Sequence, residues 1–304
     1  MEKVIAMNEA IECFVHDGDL VALGMALEPL IPFSAGHEII RQKKRGLTLI
    51  GPISDILFDQ MVGAGCVAKL VMAWAGNVMM GVGYNLRRAV EKGIPRRIEI
   101  EDLTNFSICL ALNAGAMGIP FFPTKTLIGT DMCRYSERIR EMVCPYTGER
   151  LALVPALVPN VAIVHAQRAD ATGNTHLWGS TGVVKEACLA ARRVIVSVEE
   201  IVDREVIVSD PNRTLIPGFL VDAIVHEPWG AHPSPVQGYY DRDHDHFVRY
   251  HEESRTEKGF TKWLDRWILR PRNRTEYVNL VGHERFQRLQ VERSHQAFPV
   301  EYGY

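Results

Sequence analysis

Residues 18–42, GDLVALGMALEPLIPFSAGHEIIRQ, hold an apolar run that stops at a glycine, a loop with two prolines, and then a helical pattern. The run 20–24 has no polar alternation, so it reads as a strand covered on both faces. Gly24 opens backbone angles closed to other residues, and Pro29 and Pro32 stiffen the loop that follows. A helix opening near Ser34 would aim unpaired N–H groups and a partial positive charge at any anion bound there. A plain tight turn gives the same pattern. The apolar Leu27, Leu30 and Ile31 suit an acyl chain better than a phosphate.

Outward from this unit the pattern repeats. Further strand candidates are 47–51, 68–74, 161–166, 194–200 and 220–228, and helix candidates are 7–16, 34–44, 82–93, 105–116, 134–142 and 183–192. Residues 7–8 and Thr104-Asn105 are expected to cap the first and fourth helices. Strand–helix alternation implies an α/β fold, an open and mainly parallel sheet covered by helices, with ligands at the carboxyl ends of its strands. Residues 1–240 read as this α/β domain and 241–304 as a helical C-terminal extension. Phe260, Trp263, Trp267 and Ile268 lie at helical spacing there, a face that packs on its own domain or on a partner.

The 304 residues are 47% apolar and 23% charged, ordinary globular usage. The net charge of −3, without a basic patch, argues against a nucleic-acid or anionic-membrane surface. The longest apolar runs are broken by prolines and too short to span a bilayer, and Glu2 with helical polar spacing does not fit a signal peptide. Six cysteines without a C-x-x-C pair read as reduced thiols, which fits a cytoplasmic protein.

Several constellations compete with bland readings. The loop HEPWGAHPSPVQGYYDRD (226–243) follows a strand directly, where a site loop belongs, and puts Gly230, Ala231 and His232 in view. A lone histidine is more often structural. DRDHDHF (241–247) lacks both the EF-hand pattern and H-E-x-x-H, so no metal is expected. Gly76, Gly81 and Gly83 in AGNVMMGVGYNLRRA (75–89) do not form G-x-G-x-x-G. In IEIEDLTNF (98–106), Glu99, Glu101 and Asp102 read as helix-capping acids, with Glu101 facing a cleft as the competing idea. No G-x-S-x-G elbow is present, and Ser180 has no evident base.

Segments spread along the chain, VHDGDLVALG (15–24), IEDLTNF (100–106), AGAMGIPFFPTKT (114–126), VPNVAIVHAQRADATGNTHLWG (158–179), VSVEEIVDREVIVSDPNRTLIPG (196–218) and VDAIVHEPWGAHPSPVQGYYDRD (221–243), resemble the A subunits of family I CoA-transferases, of the glutaconate CoA-transferase type. The resemblance implies a CoA-transferase fold, a B-subunit partner across the active site and an (AB)2 heterotetramer. It implies a coenzyme A thioester as substrate, with no permanently bound cofactor. The nucleophile in such enzymes is a glutamate in an S-E-N-G-like motif of the B subunit. This chain has no such motif; its nearest acidic pairs are Glu199-Glu200 and Glu252-Glu253.

The opening loop matches the family's G-G-x(6)-P segment, with Gly24 and Pro32 in place and Met25 where a second glycine is expected. The residues the resemblance points to for CoA and acyl binding are Gly24, Met25, Leu27 and Pro32, then Asn77, Gly81 and Glu101, then Gly230, Ala231 and His232. The apolar loop favours an apolar, branched or aromatic-derived acyl group. Two other readings stay open: a hydrolase of acyl-CoA on the same two-chain frame, with Glu101 as base, and a non-catalytic protein that only binds acyl-CoA.

Overall fold

The computed structural model describes residues 3–292 and 300–302; Met1, Glu2 and residues 293–299, 303 and 304 of the expected extension lie outside the described residues. The first part of the chain alternates as α1 (Met7–Phe14), β1 (Leu20–Leu23), α2 (Phe33–Arg41), β2 (Leu47–Ser54), α3 (Ile56–Gly63), β3 (Val67–Ala75), α4 (Tyr84–Lys92), β4 (Glu99–Asp102) and α5 (Asn105–Met117). The middle holds β5 (Phe121–Thr124), α6 (Asp131–Tyr135), β6 (Arg140–Val143), β7 (Arg150–Pro155), β8 (Val161–Ala169) and β9 (Thr175–His176). Then come α7 (Val184–Ala190), β10 (Arg193–Ile201), α8 (Arg204–Ser209), β11 (Thr214–Ile216) and β12 (Ala223–His226). Helices α9 (His244–Ser254), α10 (Glu257–Leu264), α11 (Arg274–Val281) and α12 (His283–Leu289) follow, with a π-helical turn, Asp265–Leu269, between α10 and α11.

Among the described residues a nine-stranded sheet has the parallel run β12-β10-β8-β1-β2-β3-β4, to which β9 and β11 add antiparallel pairs near the end of β8. The chain starts in the middle at β1, builds out to β4, and returns to the other side of β1 with β8. The register there is Val21↔Val161, Ala22↔Ala162 and Leu23↔Ile163. The strands are continuous apolar runs because both faces are covered: Val21 and Leu23 enter one core cluster, and Ala22 enters the other. One cluster joins the sheet to α2, α3 and the C-terminal helices; the other joins it to α5 and α7.

Two local expectations are corrected. Residues 134–142 are not a helix: α6 ends at Tyr135, and Arg140–Val143 form β6, paired antiparallel with β7. The short α6 buries no residue, so local helical spacing had nothing to pack against, and ladder pairing with β7 won. The first helix is not capped by residues 7–8. Ala6 occupies the cap without a side-chain bond, and burial of Met7, Ala10 and Ile11 holds α1 instead. Thr104 does cap α5, in a reciprocal box with Ser107.

The aromatic stripe of the C-terminal helices is buried in the chain's own core. Phe260, Trp263, Trp267 and Ile268 share a cluster with Ile39, Leu57 and Phe58 of α2 and α3. Arg41 of α2 reinforces this junction by donating to the carbonyls of Ile268 and Pro271 at 3.2 and 3.3 Å. Trp263→Ala is expected to cost about 3–5 kcal/mol by removing a fully buried indole. A denaturant titration followed by circular dichroism checks this, the midpoint falling while the transition stays single.

Candidate active site

The sheet reverses its order of growth between β1 and β8, and such a switch point opens a crevice outside the carboxyl ends of the two strands. The loop leaving β1 there has an unusual backbone. Gly24 is left-handed at φ +71°, and so are Leu27 at +74° and Leu30 at +58°. A left-handed leucine costs about 1–2 kcal/mol, so the surroundings must impose the shape. Among the described residues, three of the four non-glycine left-handed positions are Leu27, Leu30 and Trp229, all in the loops after β1 and β12. Backbone strain is therefore concentrated at the carboxyl-end face.

The imposing contacts are specific. On one flank, the Met25 carbonyl accepts the Val183 N–H at 2.9 Å, and the Ala26 carbonyl accepts the Ser180 hydroxyl at 3.2 Å. Gly182 permits this approach, since a Cβ there would stand 2.2 Å from the Met25 carbonyl oxygen. On the other flank, Ser234 donates its hydroxyl to the Glu28 carbonyl, and the Leu30 N–H reaches the Pro235 carbonyl at 3.0 Å. Glu28 pairs with the guanidinium of Arg242.

These bonds occupy the loop's carbonyls and leave its amides. Among the described residues, the N–H groups of Met25, Ala26 and Leu27 have no hydrogen-bond partner, although Met25 and Ala26 are each only 1% exposed. Orphaned amides on buried residues are rare, and a run of them is what an oxyanion-binding backbone presents to a ligand. Of Leu27, Leu30 and Ile31, the last two turn their side chains into the core beneath the loop, as does Met25. The expectation that these side chains form an apolar wall for an acyl group thus loses its basis; Leu27 alone of the three is partly exposed.

The second expected anion device behaves differently. The helix after the loop starts at Phe33, with Pro32 as its cap, and the Ser34 N–H donates to the Gly230 carbonyl at 2.9 Å. That bond instead joins the two loops the sequence singled out. Gly230 and Ala231 are buried, the Ala231 N–H meeting the Tyr240 hydroxyl at 3.2 Å. His232 is wholly buried between the Tyr277 hydroxyl and Asp243, each at 2.9 Å. Burial holds its pKa below the ordinary histidine value, so it is a neutral spacer fixing the loop to α11. Asp243 also caps α9 and binds Arg285, so its carboxylate is committed to structure. Among the described residues, no group of three or more histidines, cysteines and acids is placed to hold a metal.

Asn77 and Gly81 shape a turn after β3. Asn77 Oδ1 accepts the N–H groups of Met79 and Met80 at 3.1 Å, its Nδ2 donates to Phe247, and its carbonyl accepts Gly81. Glu101 lies on β4 rather than in a helical turn, three strands from β1, or roughly 14 Å at ~4.8 Å per strand. Lys69 at 2.7 Å and Arg138 at 2.9 Å hold its carboxylate.

Two polar groups at this face escaped the sequence reading. On β8 and β10, His165 Nδ1 meets the Ser197 hydroxyl at 2.8 Å, and its Nε2 meets Glu199 at 2.7 Å. Glu199 also accepts the Tyr240 hydroxyl and the Trp229 N–H, each at 2.7 Å. Serine and histidine are completely buried, so this is a closed network that pins Trp229 and not a nucleophile with access to substrate. Polar residues at 165, 197 and 199 inside apolar strands were the available signal. The other group is Asp55, at the end of β2. Its Oδ1 accepts Ile56 and Val78 N–H groups at 2.7 and 3.3 Å, while Oδ2 has no partner. Burial pushes its pKa up to about 7.

Gly182→Ala is expected to push the loop off its flank, lowering stability by about 1–3 kcal/mol; thermal unfolding reads the loss. Asp55 should keep its proton in the folded chain between about pH 4 and 7, where the unfolded chain has lost it. Its contribution therefore declines as pH rises through that window. Asp55→Asn, which retains the accepting oxygen, should gain stability relative to the parent from pH 5 to pH 8 in paired denaturant titrations. An unchanged difference would show that Asp55 does not titrate there.

Comparison with known proteins gives the family. The family model for Coenzyme A transferase matches residues 4–227. The A subunit of the 3-oxoadipate CoA-transferase of Pseudomonas knackmussii is 42% identical over 277 residues, 91% of this chain and 97% of that one. The A subunit of the glutaconate CoA-transferase of Acidaminococcus fermentans is 32% identical over 308 residues, 96% of this chain and 95% of that one. The crystal structure of glutaconate coenzyme A-transferase from Acidaminococcus fermentans matches with a TM-score of 0.89 and 30% identity, covering 97% of each chain. The chain belongs to the coenzyme A transferase family, as an A-type subunit.

Proposed function

We propose that this chain is the A subunit of a two-subunit CoA-transferase that moves coenzyme A from an acyl-CoA donor to a carboxylic acid. The observation that carries this reading is the run of unpaired amides at residues 25–27, held at the carboxyl end of β1 by a strained loop. They would receive the oxygen of a thioester carbonyl as negative charge develops on it. The attacking carboxylate comes from the B subunit. Its glutamate adds to the acyl-CoA carbonyl and expels CoA thiolate, leaving an acyl–glutamyl anhydride. The thiolate attacks the glutamyl carbonyl, releasing the donor acid and forming a glutamyl-CoA thioester. The acceptor acid reverses both steps, so no redox change or water is needed.

This chain's part is to shape the site, exclude water and bind the oxyanion; coenzyme A is a substrate and no resident cofactor is required. The acceptor we favour is a dicarboxylic acid of the 3-oxoadipate kind. The relative named for it matches nearly end to end, and Leu30 and Ile31, two of the three side chains that argued for an apolar acyl group, are turned into the core. An (AB)2 assembly and a cytoplasmic setting complete the proposal.

The test is co-expression with the B subunit, followed by treatment with acyl-CoA, borohydride trapping of the activated glutamate, and a screen of acceptor acids led by 3-oxoadipate. Trapped label on a B-subunit glutamate together with CoA exchange supports the proposal; hydrolysis without exchange overturns it. Glu101 separates the hydrolase alternative, because its two cationic partners suit a structural carboxylate better than a general base. Glu101→Gln should lower exchange less than about tenfold; a catalytic base would cost about 100-fold or more.

A further inference from the structure

Arg242 is buried beneath this site. Guanidinium groups are seldom buried unless paired, and here the pairing is extensive. Arg242 binds the Glu28 carboxylate and donates to the Tyr302 carbonyl at 3.2 Å. Its guanidinium carbon stands 5.3 Å from the Phe247 ring centre and 5.1 Å from that of Tyr302. Asp55, at the end of β2, is near enough for both charges to act on it: Arg242 opposes the rise in its pKa and Glu28 adds to it. Arg242 thus lies where the loop after β1, the end of β2, helix α9 and residue 302 converge.

Glu28 is the charged residue of the loop 24–32, and it sits between the left-handed Leu27 and Leu30. The flanking hydrogen bonds fix the loop through its backbone. The Glu28 carboxylate fixes it through a side chain, and a planar guanidinium in a rigid aromatic setting gives that hold direction as well as charge. We infer that Arg242 is a positioning residue for CoA exchange, acting through Glu28 to set the backbone of residues 25–27 so that their amides meet the oxyanion. This rests on the transferase reading given above.

The experiment uses the full chain in complex with its B subunit. Three variants are made: Glu28→Gln, Arg242→Lys, and the double Glu28→Gln/Arg242→Met. Two readouts are taken. The first is kcat and KM for CoA exchange; the second is amide exchange at Leu30 and Val183, whose N–H groups tie the loop to its flanks. Glu28→Gln and Arg242→Lys should each lower kcat by about 100-fold, the cost of losing an oxyanion donor, with KM changed less than about threefold. Leu30 and Val183 amides should exchange faster in both variants, while those of β1 and β8 keep their protection. The double variant removes the buried charge as well as its partner, so it should regain thermal stability without regaining turnover. Wild-type kcat and unchanged loop exchange in Glu28→Gln and Arg242→Lys would overturn the inference. If the parent complex shows no exchange of CoA, the transferase reading falls, and loop amide exchange alone then decides whether Arg242 positions this backbone.

Discussion

The parallel pairing of β1 with β8 is the contact on which the carboxyl-end face depends. It joins residues 21–23 to residues 161–163 and leaves the outgoing and returning halves of the chain on opposite sides of one seam. The loop after β1 can then be gripped from two directions, by residues 180–183 that follow β9 and by residues 230–235 that follow β12. Neither grip exists in the local sequence. The loop's strained angles, its engaged carbonyls and its idle amides all follow from being wedged at that seam.

Much of the fold was legible because the physics was local. Continuous β-branched runs marked β1, β2, β3, β8 and β10, since parallel strands buried on both faces leave no alternation. Thr104 announced α5 through its own capping chemistry. Legibility failed at residues 134–142, read as a helix, because long-range pairing of Arg140–Val143 with β7 decided otherwise. The site divides along the same line. Glycine and proline punctuation located the loops at 24–32 and 230–235, but the direction in which Met25 turns depends on residues 180–183, far along the chain. Asp55, Ser197 and Glu199 stand in the sequence only as polar interruptions of apolar stretches, and went unread; only the assembled sheet brings His165 beside Ser197.

Charged and polar groups at this face are mostly spent on structure. Glu101 serves Lys69 and Arg138, His232 serves Asp243 and Tyr277, and Glu199 serves three donors at once. The role proposed for it, lending backbone amides and a rigid surround, needs few reactive side chains of its own. That division matches the absence of an S-E-N-G-like motif in its sequence.

The distance along the chain between β1 and β8 also bears on synthesis. Strands β1 to β4 can pair as soon as they emerge, yet β1 then presents a bare, apolar edge until β8 has been made, and β8 waits in turn for β10 and β12. Aromatic residues as late as Tyr277 complete the core on one face of that sheet. Non-local pairing of this kind slows folding and prolongs exposure of unpaired strand edges. The nascent chain is thus most prone to aggregate while its first half is finished and its second is not, a period in which a chaperone would contribute most.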